Sequence, residues 1–198
     1  MKSNLPVIIL RGIVLLPNND LRLEFDNDSS KNIIDVAELF HDNTLLVISE
    51  LNIDEVTPNN LPDIGVIAKI THKLELPNGK VRIVIKGLVR AKVYEYLNTT
   101  SQSEVLESIS SELEKVYIPP MEEEALSKKL YKELENYTKV VPTASNSVLS
   151  LLINCTNLDE STDIVATNLS LRQDRLYDYL KENDCSKRVY FKGKNKTN

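Results

Sequence analysis

The side chains able to act as bases or nucleophiles are few in this 198-residue chain. It has two histidines, His41 and His72, and two cysteines, Cys155 and Cys185. Neither histidine lies in an HExxH pattern, and no serine lies in GxSxG, so no nucleophile–base pair is recognisable. The cysteines form no CxxC, and no further cysteine supports a metal site, which predicts reduced, partly buried thiols. We therefore expect no catalytic residue, no metal and no cofactor.

Nucleotide chemistry is equally unsupported, because none of the five glycines begins GxxxxGK[ST] or GxGxxG. The acidic triplet Glu122–Glu124 is the pattern closest to a metal or acid–base site. It follows Pro119 and Pro120 at a predicted helix start, where carboxylates stabilise the positive end of the helix dipole. Helix-start chemistry therefore explains the triplet.

Charge is unevenly distributed along the chain, whose formal net charge is −5. The residues after 186 carry five cations and no acid, which leaves −10 on residues 1–186; the cations are Lys187, Arg188, Lys192, Lys194 and Lys196. An acidic body repels phosphate backbones and so disfavours nucleic acid as a partner. The basic end predicts a solvated, poorly ordered tail, with a weak phosphate or membrane contact as the minority alternative.

The sequence also argues against export and membrane insertion. Residues 5–17 are apolar but are interrupted by Arg11 and bracketed by prolines, unlike a signal peptide. No stretch approaches the ~20 apolar residues of a membrane-spanning helix. We expect a cytoplasmic protein with no membrane partner.

The first part of the chain predicts a β-rich fold. Periodicity indicates strands at residues 5–10, 21–25 and 44–49, a helix at 31–40 with Phe40 on its apolar face, and a loop at 52–62. A long strand at 66–76 turns at Pro77-Asn78-Gly79 into a second strand at 81–86. We expect Gly87 to end this hairpin, a separate strand at 88–97 with Tyr94 and Tyr96 on one face, and a closing strand at 112–118.

After Pro119 and Pro120 the pattern is helical. The first helix presents an apolar stripe before Pro142 ends it: Leu126, Leu130, Leu134 and Tyr137. A short helix at 147–155 follows, then helices capped by Asp159 and Ser170, the last of them directing Leu176 and Leu180 inward. We predict a β-rich domain at 1–118, a helical domain at 119–188 and a disordered basic tail at 189–198.

Three motifs resemble the N-terminal domain of the Lon protease family. LPVIILR at residues 5–11 with VLLP at 14–17 resembles the family's opening LPVLPLR. GVIAKI at 65–70, LPNGKV at 76–81 and KGLVRA at 86–91 are similar to GTVAKI, LPDGTV and EGLQRA in order and spacing. DIVATNLSL at 163–171 is similar to a stretch of the family's helical part.

The resemblance runs from residue 5 to about residue 188, with three departures. Asn18-Asn19 follows Pro17 where the family often has Pro-Gly, and the link between the β and helical parts is short. After Arg188 the family continues as a long helix toward its ATPase module, whereas this chain reads VYFKGKNKTN.

The resemblance implies an α+β fold, with a PUA-like β-barrel followed by a C-terminal α-helical bundle. In the family this unit precedes an AAA+ ATPase and a Ser-Lys protease, selects unfolded or tagged polypeptides for protein quality control, and supports hexamer assembly. The chain is then a non-catalytic recognition and assembly domain of an ATP-dependent serine protease, or a stand-alone Lon-type substrate-binding protein. The DNA downstream of codon 198 distinguishes these alternatives.

Binding to exposed apolar segments would use hydrophobic contact and strand addition at a sheet edge, strengthened by six copies in one ring. The candidate contact residues are Leu74, Leu76, Tyr94, Tyr96, Pro119 and Met121. Packing in the core or at the domain junction is the alternative role for each of them. Two other functions stay open: a purely structural assembly module, and RNA binding through cations on the hairpin side, namely Lys69, Arg82, Lys86, Arg90 and Lys92.

Overall fold

The computed structural model describes residues 1–26, 28–50, 61–99, 105–140, 146–169 and 171–190. The chain separates into two compact units, Met1–Leu113 and Glu114–Asn198. This division groups residues 114–118 with the helices, whereas the sequence predicts a domain boundary between residues 118 and 119.

The described part of the first unit contains six strands and one helix. In chain order they are β1 (Lys2–Arg11), β2 (Asp20–Phe25), α1 (Asp28–Phe40), β3 (Thr44–Glu50), β4 (Ile64–Glu75), β5 (Val81–Leu97) and β6 (Glu107–Glu112). The strand order is β2-β5-β4-β3-β1-β6, and β5 also pairs with β6. Five of these described strands therefore form a closed ring of pairings, to which β2 is added along β5. Only β1 and β3 pair in parallel among them.

The ring encloses an apolar core that follows the alternation of its strands. Val7, Leu46 and Ile48 have no exposed surface, and Ala91 and Val93 of β5 pack into the same cluster. Successive side chains of a strand point to opposite faces, so these alternating residues reach one interior. The opposite faces of β1 and β3 are buried as well, since Ile8, Leu45 and Val47 are at most 3% exposed.

Strand β5 runs through Gly87, so the prediction that Gly87 ends the hairpin is wrong. The Gly87 amide donates to the Asn19 carbonyl, and its carbonyl accepts from the Asn18 amide, each at 2.9 Å. A Cβ atom at this position would lie 2.5 Å from the Leu16 carbonyl oxygen. Glycine is needed here because a second stretch of backbone approaches closely, and not because the strand stops.

Two further predictions for this unit are wrong in detail. The closing strand is β6, at Glu107–Glu112, and residues 113–118 have no regular structure. Phe40 ends α1 and is 75% exposed, whereas Ile34 and Ala37 of the same helix are fully buried. The chain leaves the helix through Asp42 and Asn43, both with positive φ. Most of the predicted loop at 52–62 lies outside the described residues.

The second unit contains five helices within its described residues. They are α2 (Pro120–Val140), α3 (Asn146–Ile153), α4 (Leu158–Asn168), α5 (Gln173–Lys181) and α6 (Cys185–Arg188). The predicted stripe of leucines on α2 is buried with Val148 and Leu158. Tyr137, the fourth residue of that stripe, is instead 38% exposed.

The helix caps differ from those predicted. Asn157 caps α4, because its Oδ1 accepts a hydrogen bond of 2.9 Å from the Glu160 amide, and α5 begins after Arg172 without a side-chain cap. Asp159 therefore lies in the first turn of α4, where it pairs with Arg188 and Lys115. Ser170 and residues 191–198 lie outside the described part of the chain.

Arg188 corrects the prediction of a solvated basic end. Its side chain is 1% exposed, with Nη1 donating to Asp163 Oδ1 at 2.6 Å and Nη2 donating to Asp159. Asp163 is itself fully buried. Burial alone would lower the pKa of Arg188, but the two carboxylates and Tyr179 raise it well above its ordinary value. The guanidinium thus joins α6 to α4 as part of the core.

Candidate functional site

Leu74 and Leu76 lie where β4 enters the hairpin turn. Leu74 faces outward opposite Arg82 of β5 and is 55% exposed. Leu76 instead lines a cleft of about 220 Å³ between α1 and the turn, beside the buried side chains of Ile34 and Val81. The two candidates therefore have different surroundings.

Tyr94 and Tyr96 do not share a strand face, contrary to the prediction. A register shift between β5 and β6 at Val93 and Glu95 leaves Tyr94 as an extra residue, so the alternation reverses beyond it. Tyr94 is half exposed, with Lys2 Nζ 4.2 Å from its ring centroid. Tyr96 packs against the core, and its hydroxyl donates to the Pro62 carbonyl. Only Tyr94 offers an accessible aromatic face.

Pro119 and Met121 lie at the start of α2. The Pro119 carbonyl accepts from the Glu123 amide at 2.9 Å, and Met121 in the first turn is 87% exposed. Val116 and Tyr117, just before them, are also exposed, by 46% and 80%. Sequence reasoning assigned this stretch to a strand and so did not propose Val116 and Tyr117 as surface residues. Val116, Tyr117 and Met121 are therefore three exposed apolar side chains close in sequence on the helical unit.

A larger groove lies between α2, α3 and α4, with a volume of about 500 Å³. Leu130, Tyr131 and Leu152 form apolar parts of its lining. Its polar residues are positioned by helix ends, since Glu123 Oε1 accepts from the Leu158 amide at 3.0 Å. None of these groove residues was proposed from the sequence, because their proximity depends on how three helices pack.

The groove has a negative electrostatic environment. Glu160 Oε2 accepts hydrogen bonds from the Thr156 amide at 2.9 Å and the Thr156 hydroxyl at 3.0 Å, which holds its carboxylate beside the lining. Burial raises the pKa of the neighbouring Cys155 thiol, the hydroxyl of Ser161 partly offsets this, and the Glu160 carboxylate raises the pKa further. The thiol is therefore mainly protonated at neutral pH and is not an activated nucleophile.

Three of the five cations proposed for RNA contact are paired with acids or buried, whereas Lys86 and Lys92 are exposed. Lys69 Nζ lies 2.9 Å from Asp42 Oδ2, and Arg82 Nη2 lies 2.8 Å from Glu24 Oε2. Arg90 is only 4% exposed. Hydrogen bonds from Arg82 and then Lys80 lower the pKa of Glu24, which keeps that carboxylate ionised beside them. Acids on the same unit thus neutralise much of the hairpin's positive charge.

The described residues contain no group of three or more His, Cys, Asp or Glu side chains arranged to hold a metal ion. None of the helices in the described ranges combines the length and apolar character that crossing a membrane requires.

Comparison with known proteins identifies relatives along almost the entire chain. The family model for the ATP-dependent protease La (LON) substrate-binding domain matches residues 4–191. The chain is 30% identical over 173 residues to Lon protease of Brevibacillus choshinensis, and 27% identical over 192 residues to Lon protease 1 of Bacillus subtilis (strain 168). These alignments cover 86% and 96% of this chain but 22% and 24% of the relatives, so the chain spans less than a quarter of their length.

Solved structures show the same fold. The N-terminal domain of Mycobacterium avium complex Lon protease matches with a TM-score of 0.74 at 19% identity, and the Lon N-terminal domain protein from Xanthomonas campestris with 0.68 at 16%. Each match covers 95% of both chains. The predicted α+β class is confirmed, as is the resemblance in the sequence motifs. Because the family model spans nearly all of it, the chain belongs to the family of ATP-dependent protease La (LON) substrate-binding domains.

Proposed function

We propose that this chain is the non-catalytic, polypeptide-binding domain of a Lon-type ATP-dependent serine protease, acting in the cytoplasm on unfolded or damaged proteins. The observation that carries the proposal is the family match, which extends from residue 4 to residue 191 and so includes both compact units. ATP hydrolysis and peptide cleavage would belong to other modules of the assembled protease. In this proposal the chain contributes recognition and supports association with further copies in a hexamer.

Recognition of polypeptides would rest on solvent-exposed apolar side chains. Leu74, Tyr94 and Met121 expose between half and nearly all of their surface. Covering such side chains with an apolar segment contributes about 25 cal/mol per Å² of apolar surface removed from water. Single contacts of this kind are weak, and several copies on one ring would raise the effective concentration of sites.

The remaining candidates would support those contacts. Leu76 would add the apolar lining of its cleft to the contact surface of the hairpin. Tyr96 would anchor β5 to the core and so hold the neighbouring Tyr94 in place. Pro119 would position the first turn of α2, which carries Met121. We further propose that the ring of strands is a PUA-like barrel and that the second unit is the helical bundle of the family. Stand-alone action of the chain is the alternative to action within a larger protease.

Titration of the purified chain with reduced casein tests the proposal. We expect binding at micromolar concentrations and a loss of affinity of about threefold or more for a Leu74→Ser/Met121→Ser double variant, since each removes exposed apolar surface. Leu88→Ser is the matched control, because Leu88 is also exposed, by 44%, but is not a proposed contact. An absence of casein binding at high micromolar concentrations, even by an assembled oligomer, would overturn the proposal. If the chain instead retained RNA in a salt-sensitive manner, the RNA-binding alternative would be favoured.

A further inference from the structure

We propose that the groove between α2, α3 and α4 binds an apolar side chain from a polypeptide segment whose neighbouring residues are lysine or arginine. The inference rests on the proposed function and adds to it a site and a substrate class. Polypeptides with acidic residues beside the apolar side chain would be discriminated against.

The shape of the groove suits one or two large side chains. Its volume of about 500 Å³ lies within the ~300–1,000 Å³ typical of ligand sites. Both Tyr131, which is 40% exposed, and Leu130, which is 8% exposed, line the groove. Serine, threonine and asparagine side chains line the groove as well, and three of them form hydrogen bonds within the segment at the start of α4 and so fix that wall; the four are Ser127, Thr156, Asn157 and Ser161.

The charges around the groove determine which segment fits. Glu123 and Glu124 belong to its lining, and the Glu160 carboxylate is held against Thr156. Lys128 is the one cation among the described lining residues, and its Nζ pairs with Glu124 Oε1. These four side chains sum to −2. A cation next to the bound apolar side chain therefore gains an ion pair, whereas a carboxylate is repelled.

The preference is local to the groove. Residues 114–198 contain 13 acidic and 13 basic residues, so the unit as a whole has no net charge and the carboxylates at the groove determine the occupant. An unfolded polypeptide segment that combines an apolar residue with lysine or arginine meets both the shape and the charge.

Fluorescence anisotropy with two labelled 12-residue peptides tests the proposal. Both contain one central phenylalanine among serines and glycines, with two lysines or two glutamates flanking it. We expect the full chain to bind the lysine peptide at least about fivefold more tightly at low salt, with the preference largely lost at about 1 M salt, where charges are screened beyond ~3 Å. Equal affinity for both peptides at low salt would overturn the proposal.

Two tyrosines on α2 supply a matched pair of variants. Tyr131 lines the groove and Tyr137 does not, yet they are 40% and 38% exposed. Tyr131→Ala should weaken binding of the lysine peptide about tenfold, since it removes an aromatic contact, whereas Tyr137→Ala should leave it within about twofold. Equal effects of the two substitutions would refute the assignment. A Tyr131→Ala chain that loses the lysine peptide while both variants keep the wild-type circular dichroism spectrum would support it.

Cys155 provides a readout that does not depend on folding of a variant. It lines the groove, whereas Cys185 is buried. Saturating lysine peptide should slow alkylation of Cys155 by iodoacetamide several-fold, and an unchanged rate would contradict the site. Reduced casein separates the two proposals: casein binding that is insensitive to Tyr131→Ala overturns the groove and leaves the polypeptide-binding function standing, whereas a wild-type chain that binds no casein overturns both.

Discussion

Replacing Arg188 with methionine should destabilise the helical unit by about 3–5 kcal/mol. The guanidinium is 1% exposed and contacts Asp163, which has no exposed surface, as well as Asp159. Methionine fills a similar volume but leaves the Asp163 carboxylate buried without its cation. The cost of that unpaired charge exceeds the loss of the hydrogen bonds themselves, which is why the expected effect is large.

Urea denaturation of the purified chain, followed by circular dichroism, measures this effect. Arg172→Met is the control, because Arg172 also pairs with an aspartate, at 2.7 Å from Asp174, but its side chain is 83% exposed. The control should change the free energy of unfolding by at most about 1 kcal/mol. A second change, Asp163→Asn in the Arg188→Met background, should recover part of the stability, since it removes the buried charge. If Arg188→Met cost no more than the control, the assignment of Arg188 to the core would be refuted.

Three further predictions concern individual residues. Gly87→Ala should cost about 1–3 kcal/mol in urea denaturation, because its Cβ would meet the backbone at Leu16; a neutral effect would show that this approach is not tight. Tyr96→Phe should cost about 0.5–1.5 kcal/mol by losing a hydrogen bond to a backbone carbonyl, and Tyr94→Phe less, because that hydroxyl is exposed. The pKa of Asp184 is lowered, chiefly by a hydrogen bond from the Ser186 side chain. The ionised carboxylate therefore stabilises the folded chain at pH values above its ordinary pKa of 3.8, and this stabilisation is lost as the pH falls through the lowered pKa. Asp184→Asn should reduce the acid sensitivity of the chain in pH-dependent unfolding, and an unaltered acid limb would contradict this role.

Local patterns predicted most of the elements because each rests on residues close in sequence. The hairpin between β4 and β5 follows from alternation beside a turn in which Gly79 has φ of +78°, and register shifts interrupt the pairing farther from the turn. The apolar stripe of α2 follows from helical spacing as far as Leu134.

The wrong predictions concern residues whose environment is formed by a distant part of the chain. Gly87 resembles a strand end in the sequence, but a glycine is required there because the backbone of residues 16–19 lies against it. The bulge at Tyr94 depends on pairing with β6 and reverses the faces of two tyrosines. Arg188 looked like part of a basic tail, because its partners on α4 are 25 or more positions away in sequence.

The candidate site was predictable only in its general character. The place of Met121 at the predicted domain junction made it a candidate contact, whereas the exposure of Tyr117 depends on the absence of regular structure before α2. The groove beside Tyr131 is lined by residues from three helices, and no local sequence motif predicts that these residues lie close together. The family motifs predicted a substrate-binding domain, and the position of the binding surface stays a prediction.

The proposed function is tested most directly by the affinity of the chain for one protein in two conformations. Reduced α-lactalbumin exposes apolar segments that its disulfide-bonded native form buries. We predict micromolar binding of the reduced form and no binding of the native form at the same concentrations, measured by isothermal titration calorimetry. Equal binding of both forms, or binding of neither, would contradict recognition of exposed apolar polypeptide.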